Sequence, residues 1–326
     1  MPIEARHFSP EIERQWDDFV ERSDNGTLFH LRKFLNYHPP EQFTDASLVF
    51  LRKDRMCAVF PAAVCDYNGE RVLFSHRGAS YGGIVFSETT GLQETFKMVN
   101  IINRHAEELQ CDRIIITQTP AYYYARYSSY VDFALKSLGF TYRFRELSSV
   151  ISLNQPAEAI YRNFPDVVKR AIRKAEKSGL RIYTSLDIKS YYEILKNNLE
   201  MRHNVSPTHT LDELERLFAI FPDRIKLYAA ELKGEMIGGI VTFACNARVN
   251  LAFYIAHNHE FQNIRPVDLI IWHLIQESIR QGYLYLDFGI FTLRMEPNWG
   301  LCRFKEKFGA LGIFRDTFER RLHSSA

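Results

Sequence analysis

The sequence predicts an α/β protein with a mixed sheet, built as two copies of one fold. Three observations carry this. Each half runs strand, two helices, a three-strand meander, a long helix, a strand, a short helix and a last strand, although the residue identities do not repeat. The strand-like runs are alternating or continuously apolar, whereas the helical runs return to an apolar residue every three or four positions. The stretch Tyr283–Gly309, YLYLDFGIFTLRMEPNWGLCRFKEKFG, reads as a strand buried on both sides, a polar loop and a short basic helix. In an open α/β sheet, ligands sit at that end of a strand.

In chain order, the first strand is expected at Ile3–Phe8, and Ser9 caps a helix with Pro10 in its first turn. Ile12, Trp16, Phe19 and Val20 give that helix one apolar face, and a second short helix is expected at Leu31–Tyr37. The meander follows as SLVFLR, AVFPAAVC and RVLFSH, with tight turns at Lys53-Asp54 and Asn68-Gly69. Pro61 inside the second run predicts a bulge or a sheet edge. Gly78–Gly83 is too rich in glycine for regular structure; a long helix then covers Gln93–Leu109 and a buried strand Arg113–Thr117. Tyr122, Tyr123, Tyr124, Tyr127 and Tyr130 read either as a stacking platform for a base or sugar or as packing over a groove edge. A helix ending near Gly139 and a long strand, FTYRFRELSSVISL, close the first half.

A helical, basic segment from Asn154 to Ser178 leads into the second half, so the domains are expected at residues 1–153 and 154–326. Its elements are a strand at Leu180–Thr184, helices at Ser190–Met201 and Leu211–Ile220, and the strands IKLYAAEL, MIGGIVTFAC and VNLAFYIAH. Hairpin turns are expected at Lys233-Gly234 and Asn246-Ala247. A very apolar helix carries Val267, Ile270, Ile271, Leu274 and Ile275 and stops at Gly282. The strand through Asp287, the helix carrying Leu301, Phe304 and Phe308, and a last strand, GIFRDTFER, complete the fold.

Hydrophobic residues at 46% and charged residues at 25% describe a soluble globular chain, and 326 residues suffice for two cores. A formal charge of +2 excludes the global basic field of a general nucleic-acid coat, and no DNA partner is expected. The N-terminus lacks an apolar signal region and no run is long enough to span a bilayer. The five cysteines are scattered, without CxxC spacing, as in a cytosolic protein with reduced thiols.

Three stretches resemble one family. KRAIRKAEKSGLRI, Lys169–Ile182, is similar to a basic R-x-x-I-R-K-A-x-x-x-G helix and strand; LDFGIF covers Leu286–Phe291; and GLCRFKEKFGA, Gly300–Ala310, is similar to a closing G-L-x-x-F-K-x-x-F-G signature. With the repeated order, the chain resembles the Fem-type peptidyltransferases and their FemAB-like relatives, two tandem copies of the GNAT (acyl-CoA N-acyltransferase) fold. The resemblance implies transfer of an acyl or aminoacyl group to an amine. The implied donor is aminoacyl-tRNA or acyl-CoA, with no tightly bound cofactor, and the implied acceptor is a small molecule, a cell-envelope peptide precursor or an amino sugar.

The chain departs from the GNAT pattern at the loop before its second long helix, HNHEFQNIRPVD, His257–Asp268. A glycine-rich Q-x-x-G-x-G loop would bare backbone N–H groups to the CoA pyrophosphate. From Gln262 onward, Arg265 and Val267 replace the glycines and Pro266 removes an N–H. This speaks against a conventional CoA site and for a Fem-like donor or an unusual CoA mode.

Aminolysis needs a held, deprotonated amine and a partner for the tetrahedral oxyanion. By resemblance, Lys305 takes the electrostatic role; otherwise it is a lysine snorkelling to the surface. Asp287, at the strand end, either orients the amine and takes its proton or is a buried capping carboxylate. Arg170, Arg173 and Lys174, with Lys169 and Lys177, offer phosphates a positive face, or else form a solvated helix face pairing with Glu176. Arg202 and His203 precede the loop NVSPTH, which by family analogy borders the substrate groove; a lone histidine is more often structural. Tyr254 either donates into that groove or packs in the core, and Asn298, in the polar loop, completes the candidate substrate contacts. His257 and His259 lack a third ligand in register, so no metal site is expected. No Ser/His/Asp or Cys/His arrangement calls for a covalent intermediate. A rival from another class stays open: a non-catalytic GNAT scaffold holding RNA or a phosphorylated ligand on the basic helix and the tyrosine cluster.

Overall fold

The computed structural model describes residues 2–39, 42–75, 77–203 and 205–322, the side chains of residues 202 and 203 excepted. The chain forms two compact units, one of Met1–Leu147 with Phe314–Ala326 and one of Ser148–Ile313. The expected division at residue 153 therefore differs from the compact units at both ends. The strand Thr141–Ser152 begins in the first unit and ends in the second, and the closing strand Leu311–Arg321 does the reverse.

In the first unit the elements are β1 (Glu4–His7), α1 (Glu13–Arg22), α2 (Arg32–Leu35), β2 (Thr44–Asp45), β3 (Leu48–Arg52), β4 (Arg55–Phe60), β5 (Ala63–Tyr67), β6 (Glu70–Phe74), β7 (Val85–Phe86), α3 (Leu92–Glu108), β8 (Arg113–Thr117), α4 (Tyr130–Ser137) and β9 (Thr141–Ser152). The run AVFPAAVC is not one strand with a bulge. It breaks at Pro61, whose missing N–H cannot serve a ladder. β4 goes to a sheet ordered β1-β3-β4-β7, while β5 pairs with β2 and β6 in another. Lys53-Asp54 and Asn68-Gly69 make two-residue turns with all four φ angles positive, as hairpins of this twist require. Of the clustered tyrosines, Tyr122, Tyr123 and Tyr124 are buried, and Tyr127 and Tyr130 remain at the surface.

The second unit continues with α5 (Ala157–Asn163), α6 (Asp166–Lys177), β10 (Arg181–Ser185), α7 (Ile188–His203), α8 (Leu211–Ile220), β11 (Ile225–Leu232), β12 (Glu235–Ala244), β13 (Val249–His257), α9 (Pro266–Arg280), β14 (Tyr285–Ile290), β15 (Thr292–Leu293), β16 (Glu296–Pro297) and α10 (Trp299–Glu306); β17 is Leu311–Arg321. Its strands order as β10-β11-β12-β13-β14, with Ser148–Ser152 of β9 beyond β14. Side chains alternate across this sheet. Tyr228, Ala230 and Ile240 enter the core shared with Ile172 of α6 and Ile270, Ile271 and Leu274 of α9. Leu227 and Gly239 instead meet Tyr191 of α7 on the opposite face. The apolar face of each helix thus finds a face of the sheet, giving three layers. No helix among the described residues is long and apolar enough to cross a membrane.

Candidate active site

β13 and β14 run parallel but pair at only three positions, Val249 with Tyr285, Asn250 with Leu286 and Leu251 with Asp287. Both strands continue beyond that point. One cause lies on β13: its register with β12 shifts between Val241 and Thr242, so Phe253 is an extra residue and the strand bends. The result is a fork whose apex is Asp287. Backbone groups leave the ladder there at the carboxyl ends of parallel strands, the end of a sheet where α/β proteins take ligands.

The apex is held by the two residues expected to be catalytic. The Asp287 carboxylate, fully buried, accepts the Gly289 N–H at 2.7 Å. The Lys305 ammonium, 3% exposed, donates to the carbonyls of Gly289 at 2.9 Å and Ile290 at 2.8 Å. Gly289 has φ +68°, a region that favours glycine, at the place where β14 shifts register against β9. Lys305 is therefore no surface lysine. It reaches the strand end because α10 is fixed at both ends: Asn298 caps it by accepting the Leu301 N–H at 3.0 Å, and Phe308 packs against Phe164 and Phe288. Asn298 is thus a helix cap rather than a free loop side chain.

A groove of about 250 Å³ lies in the same unit, lined by Arg170 and Lys174 of α6, Arg265 and Asp268 at the start of α9, and Lys307 after α10, over Val167, Val168 and Ala171. Arg170 and Lys174, one turn apart, come together as expected. Arg173 does not join them; its Nε turns back to the Lys169 carbonyl at 3.3 Å. Arg265, Asp268 and Lys307 had no signal as a group, since they come from elements distant in sequence. Arg265 stands at the first glycine position of the Q-x-x-G-x-G pattern and has a left-handed backbone, φ 66° and ψ 45°. Pro266 opens α9. Asp268, 5% exposed, sits in the first turn and pairs with Lys307 at 2.6 Å. The first turn of α9 thus carries the chain's own carboxylate, paired with Lys307.

The other expected contacts lie elsewhere. Tyr254 is buried on β13, its hydroxyl 2.8 Å from the His209 ring and accepting the His209 N–H at 3.2 Å. Its carbonyl accepts from Tyr191 on the α7 side of the sheet. Burial pushes the Tyr254 phenol up to about 12, so it stays protonated beside the ring Nδ1. His209 ends the loop NVSPTH, and nothing in its spacing signals this pairing. The side chains of Arg202 and His203 lie outside the described residues. Among the described residues no group of three His, Cys, Asp or Glu side chains is placed to hold a metal.

The corresponding place in the first unit is filled by its own chain. β6 and β8 pair in parallel over Val72–Phe74 and Arg113–Ile115, and the Ser75 N–H then bonds Ile115 and the Gly82 N–H bonds Thr117. A Cβ at Gly82 would lie 1.7 Å from the Ser75 carbonyl oxygen, so this close approach demands glycine.

Residues 162–306 match the family model described as an acetyltransferase (GNAT) domain. That stretch of the second half is similar to a GNAT acetyltransferase domain. The match supports an acyltransferase enzyme. Across the whole chain the GNAT domain and its partner copy share the fold of FemX, at 14% identity, a TM-score of 0.76, and 98% of this chain and 97% of that one covered. L-PGS from Bacillus licheniformis matches at 13% identity and a TM-score of 0.61, over 98% and 94%. A tandem GNAT protein from the clavulanic acid biosynthesis pathway matches at 11% identity and a TM-score of 0.60, over 100% of both chains. These likenesses fix the tandem GNAT fold. No curated protein matches the chain.

Proposed function

We propose that this protein is an N-acyltransferase that takes an aminoacyl group from aminoacyl-tRNA and passes it to an amine. Donor phosphates rest on Arg170, Lys174 and Arg265, and the transferred carbonyl lies in the fork between β13 and β14. The observation that carries this reading is the occupied start of α9. Pro266 offers no N–H and Asp268 places a buried negative charge in the first turn. A pyrophosphate held on backbone amides would lack the N–H that Pro266 does not have. Asp268 also lines the groove but is ion-paired with Lys307, so phosphates there meet the guanidinium and ammonium groups of Arg170, Lys174 and Arg265, which suits a nucleic-acid backbone.

In the reaction, the neutral amine nitrogen attacks the ester carbonyl and the C–N bond forms. The carbonyl oxygen carries the negative charge of the tetrahedral intermediate, for which we assign as donors the backbone N–H groups of β13 beyond Leu251, where its pairing with β14 ends. The C–O bond to the ribose then breaks, and the proton lost by the amine ends on the departing hydroxyl. Lys305 and Asp287 act by holding the apex of the fork, and Lys305 adds a buried positive charge there. The Fem-type resemblance supports an acceptor amine on a cell-envelope precursor, either a peptide or an amino sugar.

The test supplies the protein with a radiolabelled aminoacyl-tRNA pool and, in parallel, radiolabelled acetyl-CoA, each with a mixture of peptide and amino-sugar envelope precursors. Label from tRNA should appear in a base-stable amide. Label passing only from acetyl-CoA would overturn the reading.

A further inference from the structure

We propose that the hairpin β15–β16 and the first residue of α10 form a lipid-contacting tip that seats the second unit on an anionic bilayer surface. Within seven residues, Leu293 is 71%, Met295 56% and Trp299 65% exposed. Soluble proteins scatter such side chains singly rather than gathering them on one protrusion. The tip is also held under strain. Arg294 and Met295, the two turn residues, have φ of 53° and 66°, a region costly for long side chains without glycine's freedom. Pairing of Leu293 with Glu296 and Thr292 with Pro297, and the bond from the Asn298 N–H to the Phe291 carbonyl, keep the turn closed. The fold therefore maintains a strained turn that presents apolar groups to solvent.

The chemistry of the tip selects its occupant. Three side chains are too few for a stable protein interface, which takes roughly 800 Å² from each partner. They suit a bilayer interface, where Trp settles at the headgroups and Leu and Met reach the acyl boundary. Arg294, between the two apolar side chains, and Arg303, exposed one turn beyond Trp299, supply positive charge for anionic headgroups. Glu296 is the one acid in the hairpin. The hairpin begins two residues after β14 ends, so the contact brings the fork to the membrane surface, within reach of a membrane-borne amine. The contact itself does not depend on the donor.

Trp299 is a built-in reporter, because Trp16 is fully buried and Trp272 is partly buried. Vesicles of phosphatidylglycerol and phosphatidylcholine should shift the protein's tryptophan emission to the blue and carry the protein upward in a flotation gradient; pure phosphatidylcholine should do so at least tenfold more weakly. Trp299→Phe should abolish the emission shift. Leu293→Ser with Met295→Ser should lower vesicle partitioning at least tenfold, with circular dichroism and tRNA affinity unchanged. Absence of both shift and flotation overturns the proposal, as does flotation that survives the double substitution. Equal affinity for soluble glycerol phosphate would replace the bilayer by a headgroup pocket and also overturn it. Failure of the donor reading would leave flotation intact, so the two are separable.

Discussion

Lys305→Met is the perturbation whose size the structure lets us work out. The ammonium makes two charge-assisted hydrogen bonds to carbonyls at the apex of the fork. Such bonds contribute about 1.5–3 kcal/mol each. Against that, methionine is spared the several kcal/mol needed to bury a charge. Leaving two carbonyls short of a donor should still dominate, for a net loss of about 2 kcal/mol. For a unit the size of Ser148–Ile313, a loss of 1 kcal/mol lowers Tm by about 2–4 °C, so Tm should fall by about 4–8 °C. Because the apex loosens, aminoacyl transfer should also fall at least tenfold at a temperature where the fold is intact, about 1.4 kcal/mol of transition-state stabilisation. Near-ultraviolet circular dichroism follows the first effect and the amide-forming assay the second. Wild-type Tm together with wild-type turnover would refute the reasoning. A lowered Tm with full turnover would confine Lys305 to a structural role.

Three further outcomes are expected. Arg170→Ala with Lys174→Ala should weaken tRNA binding far more than it slows bound-state transfer, and should reduce the salt slope of log affinity by about 1.4, at about 0.7 per phosphate contact; unchanged affinity at two salt concentrations would make the groove a solvated face. Asp268→Asn should raise affinity for inorganic pyrophosphate by about three- to tenfold, because a carboxylate leaves the start of α9; calorimetry showing no gain would place the anion elsewhere. In the first unit, burial and the neighbouring Asp316 carboxylate hold Asp132 up at about 6 despite Arg145. Its folded form binds the proton more tightly than the unfolded form, so it costs stability as pH rises through 4 to 6, by at most about 3 kcal/mol before solvent screening. Asp132→Asn should therefore stabilise at pH 7 and do little near pH 4, and equal effects in urea unfolding at both would contradict this. Buried His30, held down at about 4, works in the opposite sense over the same window and is unaffected by that substitution.

What the sequence made legible was local. The turns at Lys53-Asp54, Asn68-Gly69 and Lys233-Gly234 and the boundaries of Leu211–Ile220, Ile225–Leu232 and Val249–His257 follow from hairpin chemistry and period, which neighbours along the chain determine. Lys305 and Asp287 were visible as residues, but their common target, the peptide at Gly289, was not. Hydrogen bonds from two elements onto one bulge have no period to reveal them. In the sequence Arg265 shows only as a missing glycine; its place beside Arg170 and Lys174 depends on how α9 packs on α6, a tertiary fact. Pro61 shows the limit in the other direction. Its missing N–H marks an interruption, but whether a strand bulges or leaves for another sheet depends on partners far along the chain.

The most direct test of the account is a titration of the purified protein with acetyl-CoA and, separately, with an aminoacyl-tRNA pool, each at two salt concentrations. Saturable, salt-sensitive binding of aminoacyl-tRNA, with acetyl-CoA at least tenfold weaker, is the result that an occupied α9 start and a groove of side-chain cations predict. Tight, saturable acetyl-CoA binding without tRNA affinity would contradict it, and would mean that Pro266 and Asp268 leave room for the pyrophosphate after all.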